Sequence, residues 1–363
     1  MPAPAFPQDF FRGLRVVELA SVLAGPSVGL FFAELGAEVT KIENERTGGD
    51  VTRRWKGPSE DSRTTDSAYF HCVNYGKESL LLDLADPDDK AQVDALIRAA
   101  DIVVANYRPG AAARLGMDYP TLSALNPALI YAELTGFGET DPRPAFDVVL
   151  QAETGFLYLT GEAGGPPVKM PVALIDLLAA HQLKEGVLLA LLRRERTGQG
   201  ARVTVSLYDA AVASLANQGA NWLVAGYSPQ RLGSRHPNIA PYGDQFITAD
   251  KHLIVLAVGT EGHFLGLCEV LGAPALAAYP DFATNAARVK HRDALADILA
   301  ELIHQHDRAH LLEQLRKKGV PAGAVRDLPA VFADPLTQPL LLDTRRDNGE
   351  AISCVRSVVF RMT

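Results

Sequence analysis

Apolar and polar positions follow two periods along this chain, and the switches between them mark its elements. Residues 14–19 (LRVVEL) are a short apolar run that reads as a buried strand. From residue 27 to 35 the apolar positions recur at helical spacing, Gly36 supplies a stop, and residues 38–42 (EVTKI) return to strand character. This βαβ unit favours parallel pairing through a right-handed crossover. The pattern continues with strands at 79–83, 102–105, 129–134 and 203–207 and a helix at 87–100. The fold class this predicts is α/β, a doubly wound, Rossmann-like large domain.

Beyond residue 226 the pattern changes. A loop rich in Pro, Gly and Arg (228–242) precedes two short strands (244–248 and 252–258) and mainly helical segments to about residue 318. Residues 320–325 read as a returning strand, 328–332 as a helix, and 353–363 as a β-rich strip. The expected domains are 1–205, a linker at 206–228 carried by a long Ala-rich helix (208–222), a smaller α+β domain at 229–318, and a return to the large domain at 319–363.

One carboxylate stands out. In residues 171–181 (PVALIDLLAAH), Asp176 lies between apolar neighbours. The stretch 172–175 reads as a short buried strand and 177–194 as the helix after it. Taken locally, Asp176 is the N-cap of that helix, accepting from backbone N–H groups. An ionised Asp in apolar surroundings also loses hydration, while a nearby helix N-terminus favours its charge, so two forces pull its pKa in opposite directions.

Composition narrows the function classes. The chain has 363 residues, 47 % hydrophobic and 21 % charged, with a net charge of −8, and it carries no basic footprint for nucleic acid. No apolar stretch is long enough to span a bilayer, and Met1-Pro-Ala-Pro-Ala-Phe-Pro7 is not a signal peptide, so a cytoplasmic location is expected. Cys72, Cys268 and Cys354 lack paired spacing and suggest neither disulfides nor zinc. His304, His306 and His310 do not fall on one helical face and read as surface residues rather than metal ligands. The turn after the first strand, Val22-Leu-Ala-Gly-Pro26, lacks the dinucleotide fingerprint. The long polar segment 44–74 is either a solvated loop or, given its length, a functional or partner-covering one. The turn Asn106-Tyr-Arg-Pro-Gly110 sits where ligands bind in open sheets, although a plain turn accounts for Pro109 and Gly110 equally well.

Several short motifs, in their order and spacing, resemble the family III CoA-transferases. They include GLRVVELASVLAGP (13–26), LGAEVTKIE (35–43), GDVTR (49–53), NYGKES (74–79) and DIVVANYRPG (101–110). RLG (114–116), LNP (125–127), TGFG (135–138), RTGQG (196–200) and HPNIAPY (236–242) follow. That family includes formyl-CoA:oxalate and carnitine CoA-transferases and the related α-methylacyl-CoA racemases.

The resemblance implies that Asp176 is a nucleophile forming an acyl anhydride and then an aspartyl-CoA thioester, and that Asp147 positions the intermediates or makes a structural hydrogen bond. It implies that Val22, Leu23 and Ala24 bring their backbone to CoA. Lys77, Asn106, Tyr107 and Arg114 would hold its nucleotide portion, with Arg46 and Arg108 as further candidates. Coenzyme A or acyl-CoA would be a substrate rather than a permanently bound cofactor. The partners would be acyl-CoA, a small carboxylic acid and a second copy in an interlocked homodimer, with no metal.

Leu23 stands where formyl-CoA transferases have a catalytic Gln. Phe146-Asp147 stands where the racemases have His before an Asp, so the α-proton base is missing and racemase is the alternative activity. Residues 233–243 lack the glycine-rich flap of the formyl-CoA:oxalate enzymes. Relatives are expected to continue past the point where this sequence stops.

Overall fold

A computed structural model describes residues 9–346 and 348–362, so the N-terminal reading (1–7) and Thr363 lie outside the described residues. The chain divides into two compact units. The first takes the residues up to Thr154, Met170–Ala216 and those from Pro335 onward; the second takes Gly155–Lys169 and Asn217–Asp334.

The first unit is built on a parallel six-stranded sheet. Its strands are β1 (Arg15–Glu18), β2 (Glu38–Asn44), β3 (Lys77–Leu82), β4 (Ile102–Ala105), β5 (Ile130–Thr135) and β6 (Ala201–Ser206), in spatial order β3-β2-β1-β4-β5-β6. Strand order reverses between β1 and β4, which opens a crevice at their carboxyl ends. The helices are α1 (Ala24–Glu34), α2 (Ala68–Asn74), α3 (Pro87–Ala99), α4 (Ala111–Arg114), α5 (Tyr119–Leu125) and α6 (Asp147–Glu153). After α7 (Phe156–Leu159), which belongs to the second unit, come α8 (Leu174–Thr197) and α9 (Leu207–Ala213).

One face of the sheet buries Val17, Val103 and Tyr131 against Val93, Ile97 and Leu122 of α3 and α5. On the other, α1 packs against α8. The doubly wound α/β class read from the sequence is the observed one.

Three local expectations fail. Residues 172–175 are not a strand, because α8 begins at Leu174 and takes Asp176 into its first turn. A four-residue apolar run fits a strand or a buried helical turn equally, and here packing of the helix decides. The single helix expected at 208–222 is two, α9 and α10 (Ala216–Leu223), parted at Ala216, which has φ 44°. The segment 44–74 is only partly loop. It contains two 3₁₀ turns, Glu45–Thr47 and Val51–Arg54, begun by Asn44 and Asp50 side-chain caps, and then α2 behind a Ser67 cap.

The second unit has an antiparallel sheet, β7 (Tyr242–Ile247), β8 (Leu253–Ala257) and β9 (Ala322–Ala324), paired in that order. Its helices α11 (Glu261–Val270), α12 (Asn285–Lys290), α13 (Arg292–Ile303) and α14 (Arg308–Lys317) close a core around Ile254, Phe264, Leu267, Leu299 and Leu311. The chain then adds an antiparallel hairpin, β10 (Leu341–Arg345) and β11 (Ala351–Val355), to the first unit. The β-rich strip expected at 353–363 is strand only as far as Val355. Beyond it, the Glu34 carboxylate of α1 accepts the backbone N–H groups of Ser357 at 2.7 Å and Val358 at 3.1 Å.

Candidate active site

The crevice between the β1 and β4 ends holds a cavity of about 220 Å³. The loop after β1 supplies Ser21, Val22, Leu23 and Ala24; the turn after β4 supplies Asn106, Tyr107 and Arg108; the first turn of α8 supplies Asp176. The end of β5 at Leu134 and Thr135, the segment with Asp141, Arg143 and Phe146, and Leu207 of α9 also line it. Asn106 joins the two loops, accepting from Ser21 N–H at 3.1 Å and donating to the Ser21 carbonyl at 2.8 Å.

Asp176 is 7 % exposed, and among the described residues no hydrogen bond reaches its carboxylate. It is not the helix cap. The N-cap position belongs to Ala173, which has no capping side chain, and the Ile175 N–H is satisfied by Asp147 Oδ1 at 2.7 Å. Burial first, and then the Asp147 charge, raise the Asp176 carboxyl from 3.8 to about 7.

Asp147 is held as firmly as it holds. Gln151 donates to its second oxygen at 2.5 Å and accepts from Met170 N–H at 2.8 Å. The structural hydrogen bond foreseen for Asp147 is present, and it fixes the turn that carries Asp176.

A second cavity, about 480 Å³, adjoins the first through shared Ser21 and Tyr107. Asn44, Thr47, Gly49, Asp50, Arg54, Asp83 and Leu115 line it. Arg46 is at its border, exposed and paired with Asp83 at 2.5 Å. Arg114 ends α4 and lines neither cavity.

Lys77 is not at either cavity. It is fully buried, donating to Glu18 at 2.8 Å, the Pro26 carbonyl at 2.8 Å and Asn74 at 3.0 Å. Burial lowers it to about 8, against the opposing pull of Glu18.

Tyr69 carried no signal in the sequence, being one polar aromatic in a segment read as loop. Burial raises its phenol to about 12, with the Asp176 charge the next contribution, which puts this α2 side chain within electrostatic reach of the site. Among the described residues no group of three or more His, Cys, Asp or Glu is placed to hold a metal, and no helix is long and apolar enough to cross a membrane.

The sequence matches the model of CoA-transferase family III over residues 11–361. The chain belongs to that family. This CoA-transferase is 41 % identical over 355 residues to the succinate–glutarate CoA-transferase of Agrobacterium fabrum, covering 96 % of this chain and 88 % of the relative. It is 40 % identical over 338 residues to the acetyl-CoA:oxalate CoA-transferase of Acetobacter aceti, covering 92 % and 85 %. Among solved structures, a CaiB/BaiF family protein from Brucella suis superposes with a TM-score of 0.84 at 39 % identity, over 96 % of this chain and 92 % of that one. CoA-transferases use CoA thioesters as substrates, and this enzyme is one of them.

Proposed function

We propose that the protein moves CoA from an acyl-CoA donor to a small carboxylic acid by covalent chemistry on Asp176. The ionised carboxylate attacks the thioester carbonyl, the C–S bond breaks, and CoA thiolate leaves an Asp176–acyl anhydride. The thiolate then attacks the Asp176 carbonyl, releasing the donor acid and forming an aspartyl-CoA thioester. The acceptor carboxylate attacks that thioester to give a second anhydride and free thiolate. Attack of the thiolate on the acceptor's carbonyl releases the new acyl-CoA and restores Asp176. Thioester energy is thus held on the enzyme throughout.

The observation that carries this reading is the Asp176 carboxylate itself, buried, without a hydrogen bond among the described residues, and lining a cavity. Poor solvation makes a carboxylate a better nucleophile than it is in water. The uncapped N-terminus of α1, with Val22 to Ala24 on the same cavity, supports the reading, because backbone N–H groups there suit a developing oxyanion.

The 480 Å³ cavity would take the nucleotide end of CoA, with its pantetheine arm passing Ser21 and Tyr107. Arg54 and Arg46 would meet the phosphates. A small dicarboxylic acid is the favoured acceptor. Relatives named for succinate, glutarate and oxalate support that choice, as does Arg108, which lines the rim without an ion pair among the described residues. An interlocked homodimer and a cytoplasmic location belong to the same reading and rest on the sequence.

The racemase alternative lacks support here. It needs a second base across the α-carbon, and no histidine is among the residues lining the cavity.

The test is trapping. The protein is incubated with succinyl-CoA and other acyl-CoAs, quenched with hydroxylamine, and mapped by mass spectrometry. A hydroxamate on Asp176, absent from Asp176→Ala, is the expected result. A protein that binds CoA yet yields no adduct with any donor overturns the mechanism.

A further inference from the structure

Val22 adopts φ 72°, in the left-handed region where a β-branched side chain is crowded against its own backbone. Such a conformation persists only where the surroundings impose it. The imposing group is Asp50. Its carboxylate accepts the Val22 N–H at 3.1 Å, is 4 % exposed, and is paired with Lys41 at 3.1 Å.

Lys41 in turn reaches Glu18 at 3.0 Å and the Ala20 carbonyl at 2.7 Å, and Glu18 also holds Lys77, which reaches the Pro26 carbonyl. Two carboxylates and two ammonium groups, all buried, therefore grip the loop after β1 at Ala20 and Val22 and the first turn of α1 at Pro26. Asp50 is itself anchored. Its N–H donates to Glu43 at 2.7 Å, and Thr52 donates to its carboxylate through both N–H and hydroxyl. For Glu43, burial would raise the carboxyl, but the Arg53 hydrogen bond and the Asp50 N–H hold it below its usual range.

We infer that Asp50 is a positioning residue for the transfer reaction. By holding Val22 left-handed, it fixes the backbone of Val22 to Ala24 across the cavity from Asp176. This inference rests on the reading of Asp176 as the reacting carboxylate. Asp50 lines the adjoining 480 Å³ cavity but not the Asp176 cavity, so once CoA is bound its effect on the reacting groups passes through Val22. Glycine occupies φ near 72° without the crowding that valine suffers, so Val22→Gly lowers the need for the Asp50 hydrogen bond.

The experiment is a two-by-two cycle of Asp50→Ala, which removes the acceptor altogether, and Val22→Gly, read at saturating acyl-CoA by the rate of aspartyl-CoA formation on Asp176 and by melting temperature. Asp50→Ala should slow adduct formation by ~10-fold or more in the Val22 background, as expected for a small misplacement of site groups. In the Val22→Gly background the same change should cost no more than ~3-fold, since the conformation is then intrinsically accessible. Melting temperature should fall similarly in both, because Lys41 loses one of its two carboxylate partners and keeps only Glu18 in both. Should Asp50→Ala fail to fold, Asp50→Glu keeps the charge opposite Lys41, moves the acceptor away from Val22, and carries the same cycle.

An equal loss of rate in the two backgrounds, or no loss with Val22 present, overturns the inference alone. Absence of adduct on the unsubstituted protein removes the covalent reading and this inference with it.

Discussion

The carboxylate of Asp147 accepts the backbone N–H of Ile175 at 2.7 Å, one residue before Asp176. A side chain from α6 thus does for α8 what a local cap would have done, and it puts a second negative charge beside the first. Asp147→Asn removes the charge and keeps an oxygen able to accept the N–H. The Asp176 carboxyl should then ionise at lower pH, since Asp147 is one of the two influences that raise it. The rising limb of kcat/KM against pH should move to lower pH by up to ~1 unit. Asp147→Ala also frees the Ile175 N–H, and kcat should fall ~10- to 100-fold through misplacement of Asp176. Steady-state pH profiles of both variants check these outcomes.

Asp176 should lower stability at neutral pH. Its carboxyl is raised from 3.8 to about 7, so between those values the folded chain keeps a proton that the unfolded chain has lost. Stability from this group is then greatest below the lower value and declines as pH rises through the upper one. Asp176→Asn carries no charge and escapes the decline. It should exceed the native protein by about 2–4 kcal/mol above pH 7 and match it near pH 4, while losing transfer activity. Melting curves across that range, read as a difference between the two proteins, decide it.

Lys41 ties Glu18 and Asp50 together with none of the three groups reaching solvent. Burial works against its charge, but the two carboxylates outweigh it and raise its pKa. Lys41→Met leaves two buried carboxylates sharing only Lys77, and should cost about 3–5 kcal/mol. A drop in melting temperature much smaller than other buried truncations give would show that the charges find other partners.

Gly29 of α1 faces the same network. A Cβ there would overlap the Glu18 carboxylate, and Lys77 lies just beyond. Gly29→Ala should therefore destabilise the protein by about 1–3 kcal/mol despite the better helix propensity of alanine. The sign of the change in melting temperature is the test.

Glu34→Ala removes the acceptor for the Ser357 and Val358 N–H groups. Leaving two such groups unpaired should cost about 1–3 kcal/mol and open the segment after β11. Limited proteolysis should cut there sooner than in the native chain.

Where a segment's fate depended on its own neighbours, the sequence was readable. The run IVVA forms β4 over the residues expected, and α8 ends at Gly198 with φ 71°. Asp176 was also visible, as a carboxylate in an apolar frame. Partners far along the chain were not legible. The N–H group of Ile175 in α8 is taken by Asp147, and Lys77, which the family resemblance puts on the CoA nucleotide, is consumed by Glu18 from another strand. The left-handed Val22 had no local marker, because its enforcing group lies 28 residues away.

The Glu34 contact with Ser357 spans 323 residues. The first unit is assembled from three separate stretches of chain, and α1 receives a segment translated 323 residues after Glu34. A ribosome translating this protein therefore exposes α1 long before that partner emerges. During that interval the face of α1 that Glu34 serves depends on whatever in the cell shields nascent chains.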